Sequence, residues 1–176
     1  MKKIIMTFAA AMVAMAMDAQ IYAGGTVGFV TESTDGNSES TLLLQPEVGY
    51  NFAENLAVGI VFGYGESGKD EHKLKTFTIN PYLRYTALKF DKVNIFLDGE
   101  IGYTNKKYGG VKTNIFEVGV KPGVAINLNE KLSLVTHVGF LGYQNSKPDY
   151  DGAKATNTFG VSVDGNSLDF GIYYNF

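Results

Sequence analysis

The chain closes on Leu168–Phe176, LDFGIYYNF. Leu168, Phe170, Ile172, Tyr174 and Phe176 alternate with Asp169, Gly171, Tyr173 and Asn175. A period of two sends successive side chains to opposite faces, so the stretch reads as a strand with one greasy face and one polar or small face. It stops on an aromatic ring. We read it as the closing strand of a transmembrane β-barrel, paired with the first strand.

The 176 residues suffice for one domain or one small barrel. Hydrophobic content is 45% and mean hydropathy −0.03. A helical membrane protein would be more apolar, whereas a barrel shows lipid only every second residue. With no cysteine there are no disulfides, no thiolate chemistry and no Cys-based zinc site. A net charge of −3 argues against nucleic acid as a partner, which needs a basic face.

The first residues read as a secretion signal: Lys2 and Lys3, then an apolar run from Ile4 to Val13, then small residues. Ala14-Met15-Ala16 fits an A-x-A cleavage site, and Met17-Asp18-Ala19 fits less closely. Cleavage after Ala19 is favoured because a strand pattern starts just beyond it. The apolar run is too short for an anchor helix, which needs about 20 residues. The expected organisation is a signal peptide over residues 1–19 and a barrel domain over 20–176, with 13 basic and 17 acidic residues in the mature part.

Alternation continues through the chain. It places strands near 21–30, 41–52, 56–64, 74–86, 93–103, 115–128 and 132–143, and a last one from about 157 to the end. In the seventh, Leu132, Leu134, Val138 and Phe140 share the apolar face, opposite Ser133, Val135, His137, Gly139 and Leu141. In the last, Phe159, Val161 and Val163 are odd, but from Leu168 the apolar positions are even. Asp164-Gly165-Asn166 lies between, as a hairpin turn or a bulge. The bulge is preferred, because eight strands return the C-terminus to the side where the chain began. Pro46, Pro81 and Pro122 recur in alternate strands, for which the sequence offers no physical reason.

Connections alternate too. Long polar loops are expected at Thr31–Ser40, Gly65–Lys73, Thr104–Thr113 and Gln144–Thr156, and short turns at 53–55, 87–92 and 129–131. Outer-membrane barrels have this asymmetry, with long loops outside. Aromatic residues such as Tyr50, Phe52, Tyr64, Tyr85, Tyr103 and Tyr143 recur at strand ends, as membrane-interface girdles do.

The second face decides between a membrane and a soluble barrel. It is rich in Gly, Ala, Ser, Thr and Asn with isolated charges, which suits the cramped lumen of eight strands. The apolar band therefore faces lipid; an exported soluble barrel is the alternative. Glu47, Arg84, Asp98, Glu100, Glu117, Lys121, His137 and Asp169 are assigned to the lumen. Charges at membrane depth are costly unless paired. A salt-bridge network around Arg84 and Lys121 is preferred to a proton path or a catalytic cluster. Acids outnumber bases, so a protonated carboxyl or a charged His137 is expected. Ser133 is too far along its strand from His137 for a Ser-His pair, and His72 lies in a charged, solvated run. No catalytic, cofactor-binding or metal-binding set is assigned.

Leu44-Gln45-Pro46-Glu47-Val48-Gly49-Tyr50, Ile79-Asn80-Pro81-Tyr82-Leu83-Arg84-Tyr85 and the closing LDFGIYYNF resemble the small outer-membrane β-barrel proteins of the OmpA/OmpX-like, "porin family" kind. The resemblance implies an eight-stranded antiparallel meander in the outer membrane, among outer-membrane lipids. It also implies insertion by the barrel-assembly machinery, which reads the last strand; here Phe170, Ile172, Tyr174 and Phe176 would be the signal. The expected role is structural, in a monomer without cofactor, with loops around Asp35, Lys69, Lys107 and Asp151 open to surface ligands. A lipid-modifying enzyme and a narrow ion channel are the alternatives.

Overall fold

The computed structural model describes residues 20–34, 37–68, 73–150, 152–162 and 170–176. The signal segment, Asp35, Lys69, His72, Asp151, Asp164–Asn166, Leu168 and Asp169 lie outside them. Ten hydrogen-bonded segments run in chain order: β1 (Ile21–Thr34), β2 (Asn37–Ala53), β3 (Leu56–Ser67), β4 (Leu74–Lys89), β5 (Val93–Tyr108), β6 (Val111–Asn127), β7 (Leu132–His137), β8 (Phe140–Pro148), β9 (Thr156–Ser162) and β10 (Phe170–Asn175). Each of β1 to β6 pairs antiparallel with the next. Both β7 and β8 pair with β6, β9 pairs with β8, and β10 pairs with β7 and β1. The ten segments are thus eight staves of one antiparallel meander, closed by Tyr22↔Asn175 to Gly25↔Ile172. Because β9 and β10 are antiparallel to two halves of one stave, they run the same way. The described segments therefore make no ninth stave.

The closed sheet turns its greasy face outward. Leu83, Leu97, Ile101, Phe116, Val118 and Val120 are all exposed, and Ile101↔Val118 and Tyr103↔Phe116 stand side by side on neighbouring staves. A water-soluble protein rarely leaves so broad an apolar surface open, and lipid is the solvent that suits it. The start of β1 and Phe176 share one end with the short turns; Phe176 N–H donates to Ile21 O at 3.0 Å there.

At the other end the strands continue into the polar stretches. β1 runs to Thr34 and β2 starts at Asn37. β5 and β6 pair as far as Tyr108↔Val111, turning on Gly109 and Gly110 at φ +54° and +86°. That double positive φ is the two-residue hairpin turn that glycine permits. Likewise β3 reaches Ser67 and β8 reaches Pro148. The expected loops at Thr31–Ser40 and Thr104–Thr113 are corrected accordingly, and those at Gly65–Lys73 and Gln144–Thr156 start later than expected. Loss of apolar residues marks where the sheet leaves lipid, not where its ladder ends.

Stave seven needs a second correction. β7 keeps Ser133, Val135 and His137 inside, but in β8 Phe140 points inward and Leu141 outward, the reverse of the expectation. Gly123↔His137 is followed on the ladder by Val120↔Leu141. Between those pairs β6 spends two residues and stave seven three, a β-bulge at Val138-Gly139, with Gly139 at φ +147°.

The prolines acquire a reason. Pro46, Pro81 and Pro122 each pair in register with the preceding stave, at Gly25, Ile60 and Leu97. Towards the following stave the ladder skips each of them. Lacking an N–H, each proline sits where no ladder donor is called for.

Candidate functional site: a plugged lumen

Four staves present a lumen-facing aromatic ring directly opposite a glycine of the adjacent stave: Tyr22↔Gly49, Tyr82↔Gly59, Phe96↔Gly123 and Tyr173↔Gly24. The rings lie flat across the glycines. A Cβ at Gly49 would stand 2.1 Å from Tyr22 Cζ, one at Gly59 2.3 Å from Tyr82 Cζ, and one at Gly123 2.3 Å from Phe96 Cζ. The glycines of the small-residue face are therefore seats for rings, and the four rings are buried at the middle of the barrel.

Arg84 fills the space the rings leave. Its Nε and Nη2 donate to Asp98 Oδ1 and Oδ2 at 2.8 and 2.7 Å, a bidentate pair. Its Nη2 is also 3.6 Å from Glu47 Oε1. The guanidinium carbon lies 4.0 Å from the Phe96 ring centroid and 5.0 Å from that of Tyr82, within cation–π range. Glu47 accepts from the Tyr82 hydroxyl, and from the Tyr173 hydroxyl at 2.6 Å. Tyr22 and Tyr82 share a further hydroxyl–hydroxyl bond. Asp98 has a third polar contact, His137 Nε2 at 2.8 Å, whose ring meets Phe96 edge-on.

A second cluster sits nearer the hairpin end. Lys121 Nζ is 2.6 Å from Glu100 Oε1 and 4.0 Å from Glu117 Oε1, with its ammonium over the Phe140 ring. The bulge in stave seven brings Phe140 there. Glu117 also accepts from Asn80 Nδ2 at 3.3 Å.

The structure thus brings together Glu47, Arg84, Asp98 and His137 in one cluster and Glu100, Glu117 and Lys121 in another; Asp169 is outside the described residues. Ser133 bonds Asn127 Oδ1 at 3.0 Å, not His137. Among the described residues no group of acidic and imidazole side chains could hold a metal ion. Tyr22, Tyr82, Phe96 and Tyr173 fall on the lumen face that the alternation predicts, but their rings were not expected to join the charged network. Their signal was present: large aromatics on the small-residue face. The Arg84 layer divides the lumen into a cavity of about 260 Å³ towards the hairpins and one of about 580 Å³ towards the short turns.

Phe170, Ile172 and Tyr174 of β10 point outward and are exposed, and Tyr174 packs edge-to-face with Phe176 at 5.0 Å.

A model of the outer membrane protein beta-barrel domain matches residues 4–176. Among solved structures, Neisserial surface protein A is 16% identical and superposes with a TM-score of 0.54, over 89% of this chain and 97% of that one. The N-terminal β-barrel domain of Pseudomonas aeruginosa OprF is 10% identical, with a TM-score of 0.47 over 89% and 98% of the two chains. At such identities the likeness concerns the fold. No curated protein sequence matches the chain. The family model spans nearly the whole sequence and its barrel is the fold observed, so the chain belongs to the outer membrane β-barrel domain family.

Proposed function

We propose that the protein is a non-enzymatic, monomeric barrel of the outer membrane, exported with a cleaved signal peptide, whose lumen is a strut and whose hairpins meet the cell surroundings. The layer of Arg84, Asp98, Glu47 and the aromatic rings carries this reading. Its charges and hydroxyls are spent on one another, as a structural network requires, and it lies between the two lumen cavities. An eight-stranded barrel is just wide enough for its side chains to fill. His137 Nε2 is taken up by Asp98, and among the described residues no hydroxyl is hydrogen-bonded to the imidazole, which weighs against an activated Ser or Thr nucleophile. The projecting hairpins supply backbone and side chains for surface contacts on a rigid base. Phe170, Ile172, Tyr174 and Phe176 serve as the element read by the assembly machinery.

Two assays test this. Refolded protein in a planar bilayer should give no conductance above leak, and discrete current steps would favour the channel instead. A strain lacking the protein should keep its lipid profile; a missing acylated or deacylated species that returns with wild type but not with His137→Ala would establish the enzyme.

A further inference from the structure

On the outward face, just above the aromatic girdle at the hairpin end, lysines stand in a row. Lys75, Lys107 and Lys112 are direct register neighbours on β4, β5 and β6, Lys75↔Lys107 and Lys107↔Lys112. Lys147 on β8 is opposite Asn114, two pairs nearer the girdle. All four share the face of Phe77, Tyr103, Phe116 and Tyr143, because each is an even number of residues away along its strand. Like charges directly opposite in an antiparallel sheet are destabilising. Glu66 lies opposite Lys75, but its carboxylate already holds Lys73 at 2.7 Å and the Tyr64 hydroxyl at 2.9 Å. Asp149, whose N–H donates to Lys112 O, ends the row. Among the described residues of this row, Lys73, Lys75, Lys107, Lys112 and Lys147 thus meet two carboxylates, Glu66 and Asp149. At the short-turn end Lys89, Lys92 and Lys131 are balanced by Glu54, Asp91 and Glu130.

Height identifies what such a row meets. Lys75 is two residues beyond Phe77, and Lys107, Lys112 and Lys147 are four from Tyr103, Phe116 and Tyr143. At about 3.4 Å per residue and a tilt near 45°, the row sits roughly 5–10 Å above the rings. The headgroup layer of a bilayer is about 5–8 Å deep on each side. Tyrosine hydroxyls mark its floor: Tyr103 donates to Asn114 Oδ1 at 2.9 Å and Tyr143 to Asn157 Oδ1 at 2.7 Å. We propose that Lys75, Lys107, Lys112 and Lys147 form a clamp for the phosphate groups of outer-leaflet lipid. The side chains point sideways from the barrel into the headgroups, away from both lumen and bulk water, which favours a lipid over a soluble polyanion. Phosphate between neighbouring lysines removes the repulsion that the bare row carries.

The clamp rests on the membrane-spanning reading, which the heat-dependent gel shift of the folded barrel reports separately. The test uses the mature chain refolded in zwitterionic micelles, with three additions: bis-phosphorylated lipid A, the same lipid without phosphates, and inorganic phosphate. The thermal midpoint of the gel shift is read for wild type, for K75Q/K107Q/K112Q, and for K89Q/K92Q/K131Q at the other end. The phosphorylated lipid should raise the wild-type midpoint and the other additions should not. The K75Q/K107Q/K112Q variant should need on the order of a hundredfold more of that lipid for the same rise, since each lysine near an anionic surface contributes severalfold. Without lipid it should melt higher than wild type, and K89Q/K92Q/K131Q should respond as wild type does. An arginine version of the first variant should keep the response. The proposal is overturned by an equal response in the glutamine variant, or by the dephosphorylated lipid or inorganic phosphate doing as well.

Discussion

Replacing Arg84 by methionine tests the lumen plug at its centre. The substitution keeps much of the side-chain length but deletes the guanidinium that bonds Asp98 twice, at 2.8 and 2.7 Å, and neighbours Glu47 at 3.6 Å. Both carboxylates are buried, so the damage is an uncompensated charge more than lost packing. Breaking a buried pair from one side costs about 3–5 kcal/mol. The cost should fall near the lower end, because Asp98 keeps His137 and Glu47 keeps the hydroxyls of Tyr82 and Tyr173. With an urea dependence of about 1–3 kcal/mol per molar, Arg84→Met should lower the unfolding midpoint by about 2 M. Folded and unfolded gel bands after urea incubation supply the assay. Removing Asp98 as well, in R84M/D98L, deletes both charges and should recover most of the loss, since an apolar pair of similar volume is often no worse than a buried ion pair. A midpoint unchanged in R84M, or a double variant as damaged as the sum of its parts, would refute the coupling on which the plug rests.

Other perturbations separate the remaining elements. Gly59→Val drives a Cβ into Tyr82 and should cost about 1–3 kcal/mol by overpacking, whereas Gly160→Ala, with nothing within 4 Å of the new Cβ, should stay within about 0.5 kcal/mol; urea midpoints distinguish them. Lys73 donates to Glu66 and holds its carboxyl below the usual range; the small stabilisation is present above the unfolded-state value and lost as pH falls through the folded one. An NMR titration should show that depression in wild type and a smaller one in Lys73→Gln, where the Tyr64 hydroxyl still donates to the carboxylate. Phe176→Ala should fold in micelles as wild type does but accumulate less in the outer-membrane fraction of cells; equal accumulation would deny the last strand its role in assembly.

Most of the architecture was legible because only one face of each strand meets lipid, and a period of two survives even in short segments. β4 and β5 show it best: Leu83, Tyr85 and Leu97 lie outside and Tyr82, Arg84, Phe96 and Asp98 inside. Stave seven was misread because His137-Val138-Gly139-Phe140-Leu141-Gly142 holds several apolar or small residues in a row, and a bulge inside such a run leaves no mark on its parity. The polar hairpins were misread because polarity reports solvent, while strand pairing depends on backbone groups that every residue carries. The lumen charges were legible as a set, being isolated on the small-residue face. Their pairing was not, since stagger between strands decides which heights coincide. That Arg84 meets Asp98 depends on the register Arg84↔Asp98, and that His137 reaches Asp98 depends on two further ladders.

The central claim is that the apolar face of a closed, plugged barrel looks into lipid. The chain has no native cysteine, so single cysteines can be placed and spin-labelled without background. A nitroxide scan along β5 from Ile95 to Tyr103 in lipid bilayers tests the claim most directly. Oxygen, which concentrates in the hydrocarbon, should reach the label at 95, 97, 99, 101 and 103 and be shielded at 96, 98, 100 and 102. Oxygen accessibility highest at the even positions, or an absence of alternation, would contradict it.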